Sequence, residues 1–224
     1  MLGKYMSRSA ILLGLFALVG TGLVALIFTG TEERIAESER QFMLRNLHAV
    51  IKPELHDNDI FHDMIAVTDP QRLGTKDPVP VFRARKNGQP VALAITPVAP
   101  DGYVGPIKIL VGITFDGTVL GVRVLSHRET PGLGDGIEEK RSDWVFGFNG
   151  RSLGNPQDKG WAVHRDGGQF DQFTGATITP RAIVKAVHSA LKFYELNRDQ
   201  LFQKPSLSPE KVHTEVTLEE ARHE

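Results

Sequence analysis

Thr177 is the side chain in this chain best suited to carry or hold a phosphate. It closes the run Asp171-Gln172-Phe173-Thr174-Gly175-Ala176-Thr177, in which small residues make a turn and deliver a hydroxyl to the start of a helix. Pro180 is tolerated in a first helical turn, and Thr179 just before it is a good N-cap. Beyond them Ile183, Val184, Val187, Leu191 and Tyr194 recur at three- and four-residue spacing, one apolar face of an amphipathic helix. Free N–H groups and the positive dipole end at a helix start favour an anion. Gly175 lets the backbone approach a ligand closely. The same residues also read as an ordinary turn and N-cap, and local physics does not separate the two readings.

Other candidates are weaker. His127-Arg128-Glu129-Thr130-Pro131-Gly132-Leu133-Gly134 is a loop able to lie against a planar ring or a phosphate. Pro131 stiffens it, Gly132 and Gly134 permit close approach, and Thr130 adds a hydroxyl. It reads equally as a strand-to-helix connection that needs its glycines for backbone geometry. His127 and Glu129 have acid and base character, but no nucleophile accompanies them, so no catalytic residue is assigned. His56, Asp57, Asp59, His62 and Asp63 lie in a polar loop where acids and histidines face solvent, and no metal site is expected. Lys185 and His188, further along the helix, read as surface residues.

These groups must be positioned by a chain of 224 residues with a formal net charge of −1 and no cysteine. No basic surface argues for nucleic acid. Without thiols the chain can hold no iron–sulfur cluster of its own and no disulfide, so any redox chemistry needs another cofactor. Residues 10–28 carry no charge, and about 20 apolar residues rising about 1.5 Å each can cross a hydrocarbon core. Lys4 and Arg8 precede this run and Glu32 and Glu33 follow it, which predicts a cytoplasmic N-terminus and a main domain on the far side. A cleaved signal peptide would have a shorter apolar region and a small-x-small site; an uncleaved single-pass anchor fits better.

The expected division is a cytoplasmic N-terminus at 1–8, a transmembrane helix at 9–29, an extracytoplasmic domain at 30–203 and a flexible polar tail at 204–224. Residues 32–51 suggest a helix continuing from the anchor, and residues 55–80 irregular loops with one short strand. The Asn87-Gly88 turn predicts a hairpin of 81–85 with 91–97, and Asp116-Gly117 a second of 107–115 with 118–125. A short helix is predicted over 137–145, with Trp144 and Phe146 turned inward, and a strand over 161–164. Hairpins followed by helices without βα alternation indicate an α+β fold with an antiparallel sheet.

A resemblance adds to this reading. Asp171-x-x-Thr174-Gly175-Ala176-Thr177 is similar to the covalent flavinylation motif of the FMN-binding domain family, and the His127–Gly134 segment resembles that family's His-x-Glu-Thr-Pro-Gly-Leu-Gly stretch. Residues 101–113 also look like the G-type subunit of the Rnf (Rsx) electron-transport complexes, a class related to the C-type subunit of the sodium-pumping NADH:quinone oxidoreductase. The resemblance implies FMN held by a phosphoester on Thr177, installed from FAD by a separate magnesium-dependent FMN transferase. Asp171 and Thr174 then belong to the attachment motif, and Glu129, Thr130, Pro131, Gly132, Leu133 and Gly134 to the flavin's surroundings. It further implies a bacterial inner-membrane electron carrier, partnered by the other Rnf/Rsx subunits, in an oxidoreductase that couples ferredoxin and NAD to ion transport. The alternatives are a non-redox extracytoplasmic assembly module and a free-standing flavin reductase.

Overall fold

A computed structural model describes residues 2–207, in two compact units, 1–44 and 45–224. One helix, α1 (Leu2–Val50), runs through the first unit and ends in the second. The expected membrane segment lies within it. Among the described residues no helix is long and apolar enough to cross a membrane. The described side chains of α1 over 11–26 are all exposed, with Leu12, Phe16, Leu18 and Leu26 among them.

The second unit is an antiparallel sheet with a long helix on one face. After the last turn of α1 come β1 (Met64–Val67), a single-turn helix α2 (Pro70–Leu73), β2 (Val79–Lys86), β3 (Gln89–Ile95), β4 (Val98–Ala99), β5 (Ile107–Thr114), β6 (Val119–Ser126) and finally α3 (Ile178–Gln203). All paired strands are antiparallel. The order is β1-β2-β3-β5-β6, and β4 pairs with the start of β5 on the edge that β3 occupies further along. The expected α+β class is therefore what is found.

Both hairpins form where the turn residues predict them. Asn87 (φ 52°) and Gly88 (φ 74°) are both left-handed, as a two-residue turn between right-twisted strands requires. Alternation then sorts the strands: Val81, Leu93, Ile95, Ile109, Val111 and Ile113 face a core shared with Ile183, Val184, Val187 and Leu191 of α3. On the sheet's other face Gly112 and Gly121 are paired across β5 and β6, and Val50 sits over them. A Cβ on Gly112 would lie 3.0 Å from the Cβ of Val50.

Three sequence expectations are corrected. Residues 137–145 do not form an α-helix; two short 3-10 turns, Asp135–Ile137 and Asp143–Phe148, stand there instead. Ser142 caps the second, its Oγ accepting from the N–H of Trp144 at 3.2 Å, and glycines at 134, 136 and 147 deny a longer helix its propensity. Phe146 points outward, while Val145 and Phe148 are the buried residues; Trp144 does pack against the core. Residues 161–164 make only a single parallel bridge, Val163 with Phe170, between 3-10 turns at Asp158–Gly160 and His164–Asp166.

Residues 204–207, expected to belong to the flexible tail, are tied to the sheet. Arg83, 1% exposed, donates to the carbonyls of Leu201 (3.0 Å) and Lys204 (2.6 Å) and to Ser206 Oγ (2.8 Å). The N–H of Leu207 donates to the Met64 carbonyl at 2.7 Å. Residues 208–224 of that tail lie outside the described residues.

Candidate functional site

The strand-to-helix connection and the start of α3 meet in one open groove. Its walls are Tyr103, Glu129, Thr130, Leu133 and Gly134 on one side and the residues from Gly175 to Thr179 on the other. Two motifs well separated in sequence are thus neighbours in space.

Beyond β6 the chain is organised by His127. Its Nδ1 accepts the N–H of Glu129 at 3.0 Å, so the ring proton sits on Nε2, which meets Glu138 Oε1 at 2.7 Å. His127 therefore anchors the backbone of Glu129 and does not pair with its carboxylate. The next turn is closed by the Thr130 carbonyl, which accepts from Leu133 N–H (3.1 Å) and Gly134 N–H (3.0 Å). Gly132 takes φ 77° there, a conformation costly for any residue with a Cβ, and its N–H donates to Asp135 Oδ1 at 2.8 Å.

Glu129 is the buried charge of the site, 4% exposed. Its Oε1 accepts from the N–H of Val104 at 3.0 Å, and its Oε2 accepts from the hydroxyl of Thr179. Among the described residues no cationic side chain pairs with it. Glycine at 134 is required by this packing: a Cβ there would lie 2.9 Å from the Cβ of Glu129 and 3.0 Å from Oε2. Gly102 presses from the other side, a Cβ there coming 3.1 Å from Oε1.

The turn over 174–177 is pinned just upstream. Trp144 Nε1 donates to the carbonyl of Asp171 at 2.8 Å, and its ring meets Phe173 edge-on at 5.5 Å between centroids. Phe173 in turn fills the space left by Gly136, where a Cβ would lie 3.1 Å from its ring. The turn closes with Ala176 N–H to Phe173 carbonyl (3.1 Å), with Gly175 at φ 82°. Thr177 follows as the residue preceding α3, in helical backbone geometry and without a side-chain capping bond. Its hydroxyl makes no hydrogen bond among the described residues. Thr179, expected as the N-cap, is instead inside the first turn and fully buried against Glu129.

Of the residues singled out from sequence, Thr177, Gly175, Ala176, Glu129, Thr130, Leu133 and Gly134 come together in the groove. Pro131 and Gly132 form the exposed tip of the loop. Asp171 and Thr174 are exposed beside the groove, Asp171 with its carboxylate 3.3 Å from His164 Nε2. Tyr103, Ile178 and Thr179 line the groove without having been expected to. Tyr103 arrives from the β4–β5 connection, and no local pattern marks that loop as a neighbour of α3.

The groove suits a phosphate ester on one side and a flat, partly apolar group on the other. Thr177 offers an unengaged hydroxyl, and the N–H groups of the first helical turn lack intrahelical partners. Tyr103, Leu133 and Ile178 are exposed apolar side chains around it. The loop acids are engaged by other partners. Asp63 binds Arg83 and Arg85, Asp59 pairs with His62, and Asp57 accepts from Asn87 N–H. Among the described residues no group of three or more such side chains could hold a metal ion.

The FMN-binding domain family matches residues 102–192, and the RnfG N-terminal region matches residues 1–50. Similar proteins include the G subunit of the ion-translocating oxidoreductase complex of Pseudomonas aeruginosa, 52% identical over 209 residues, 93% of this chain and 95% of the relative. The protein of the same name from Shewanella loihica is 51% identical over 199 residues (89% and 94%). That from Vibrio cholerae is 48% identical over 199 residues (89% and 95%).

Proposed function

The chain belongs to the family of G subunits of ion-translocating oxidoreductase complexes, and from that premise we propose that it is an electron-transfer subunit carrying FMN as a phosphoester on Thr177. The observation that carries this reading is the contrast between the two threonine hydroxyls at the start of α3. Thr179 is committed to Glu129, whereas Thr177 has no partner among the described residues. Only the second is free to be esterified without breaking a buried hydrogen bond.

The flavin, when attached, supplies the redox chemistry; the protein supplies its placement. Thr177 tethers the phosphate at the dipole-positive end of α3, where backbone N–H groups face an anion. Gly175 gives the turn its left-handed step, and Ala176 keeps the approach to the hydroxyl small. Glu129, Thr130, Leu133 and Gly134 form the opposite wall, and Tyr103 closes one side. Asp171 and Thr174, exposed on the outer side of the turn, are available to the FMN transferase. In that transfer the Thr177 oxygen bonds to the flavin-bearing phosphorus of FAD, AMP leaves, and the hydroxyl proton is lost to the transferase. No residue of this chain acts as a catalyst; oxidoreduction and ion translocation belong to the assembled complex of Rnf/Rsx subunits.

We further assign the anchor to residues 9–29, with the N-terminus cytoplasmic and residues 30–203 on the periplasmic side of a bacterial inner membrane. Support comes from the uncharged run 10–28, from the exposed apolar side chains of 11–26, and from Lys4 and Arg8 before the run against Glu32 and Glu33 after it.

The test is direct. The chain is co-produced with the transferase, denatured and run on a gel under ultraviolet light. A fluorescent band that disappears in Thr177→Val is the expected result; a dark band from the unsubstituted chain rejects the covalent assignment.

A further inference from the structure

Glu129 is a buried acid that tethering the flavin does not require. Most buried carboxylates sit beside a cation, because an isolated charge in a low-dielectric interior is costly. Glu129 sits instead among donors only: the Val104 N–H, the Thr179 hydroxyl, and the N-terminal end of α3. Both oxygens act as hydrogen-bond acceptors. A Cβ at Gly102 or Gly134 would crowd that carboxylate. Among the described residues this carboxylate has donors but no cationic partner, and it stands in the wall of the groove that Thr177 also lines.

We infer that Glu129 sets the potential of the flavin, holding it low by opposing the negative charge that reduction brings into the groove. The inference rests on the flavin being attached at Thr177. Reduction of the bound group takes two electrons and takes up one or two protons. Where the protons do not fully offset the electrons, a fixed negative charge nearby disfavours the reduced form. A unit charge about 10 Å away, at an effective dielectric constant near 20, changes such an equilibrium about tenfold. For a two-electron couple that is about 30 mV.

Glu129→Gln is the informative change. The amide oxygen can still accept from Val104, and the amide N–H₂ can donate to Thr179, whose hydroxyl proton is free to turn away. The hydrogen-bond count is kept and the charge removed. Thr179→Val does the reverse, keeping the charge and deleting one partner.

The experiment is a spectroelectrochemical titration of the full-length, transferase-loaded chain in detergent, unsubstituted and with each change. Glu129→Gln raises the midpoint potential by about 30 mV or more, about equally at low and high salt, because a buried charge is poorly screened. Thr179→Val moves it much less. An unchanged or lowered potential in Glu129→Gln overturns the inference, as does a rise in Thr179→Val as large as that in Glu129→Gln, which would make the effect one of packing. A midpoint needs only the loaded fraction, so poor loading does not block the measurement; if Glu129→Gln does not fold, Glu129→Ala, which removes the charge without adding bulk, is titrated in its place and is expected to raise the potential in the same sense. These outcomes are separate from the attachment itself: a fluorescent wild-type band with no potential shift removes the role of Glu129 alone, whereas a dark wild-type band removes the attachment.

Discussion

The two ends of α3 are each held by one buried charge, and they are built in opposite senses. At the C-terminal end Arg83 faces the dipole-negative carbonyls of Leu201 and Lys204. At the N-terminal end Glu129 faces the dipole-positive first turn through Thr179. Arg83 has a counter-ion, Asp63, which also binds Arg85 and Ser206, so every group there has a partner. Glu129 has none among the described residues, and the neighbouring Thr177 hydroxyl is unengaged. One end is a closed clamp joining helix to sheet; the other is an open groove with hydrogen-bonding capacity to spare. A helix fixed firmly at one end can leave the other free for a ligand.

Breaking the clamp has the largest expected effect on stability. Asp63→Ala leaves Arg83 buried and unpaired, and such a change costs about 3–5 kcal/mol; urea unfolding of the full chain in detergent measures it. At temperatures where the variant stays folded, flavin still attaches at Thr177. If flavin loading is lost there as well, the two ends are not independent.

Thr179→Val comes next. It leaves one Glu129 oxygen without its hydroxyl donor in a buried setting, a loss of about 1–3 kcal/mol. The fluorescent band is retained. Gly175→Ala forces a side chain into a left-handed turn position and costs about 1–2 kcal/mol, with reduced flavin loading read from the same gel.

The clamp also has a pH signature. Burial alone would raise the Asp63 carboxyl, but hydrogen bonds from Arg85 and Ser206 and the charge of Arg83 outweigh it and hold it below its ordinary 3.8. An acid depressed in this way contributes its stabilisation in full above its ordinary value and loses it as pH falls through the folded value. Acid unfolding below about pH 3.8 is therefore steeper in the unsubstituted chain than in Asp63→Asn, which has no carboxyl to titrate. The smallest stability effect belongs to Thr177→Val, within about 0.5 kcal/mol, although it abolishes the flavin band. That dissociation from Thr179→Val is the sharpest contrast available between two threonines a single residue apart.

Much of this was legible before folding was considered. The hairpins followed from Asn87-Gly88 and Asp116-Gly117, because left-handed turn positions leave few residue choices. The buried face of α3 followed from the spacing of Ile183, Val187, Leu191 and Tyr194. At Thr177 local physics left a phosphate site and an ordinary turn both open, and only the resemblance of Asp171-x-x-Thr174-Gly175-Ala176-Thr177 to the flavinylation motif separated them. The failures share a cause: in 137–145 and 161–164 short-range patterning was overridden by caps and packing, with Ser142 tying a 3-10 turn and Phe148 taking the inward position expected of Phe146.

Residue types and local spacing were enough to name the two hairpins and the buried face of α3, since each depends on interactions within a few residues. The partners of Glu129 and of Arg83 were not readable in that way. Thr179 lies 50 positions from Glu129, and Leu201 lies 118 from Arg83. Which buried charge receives a counter-ion, and which is left facing a groove, is settled only when the sheet brings distant backbone groups within hydrogen-bonding reach.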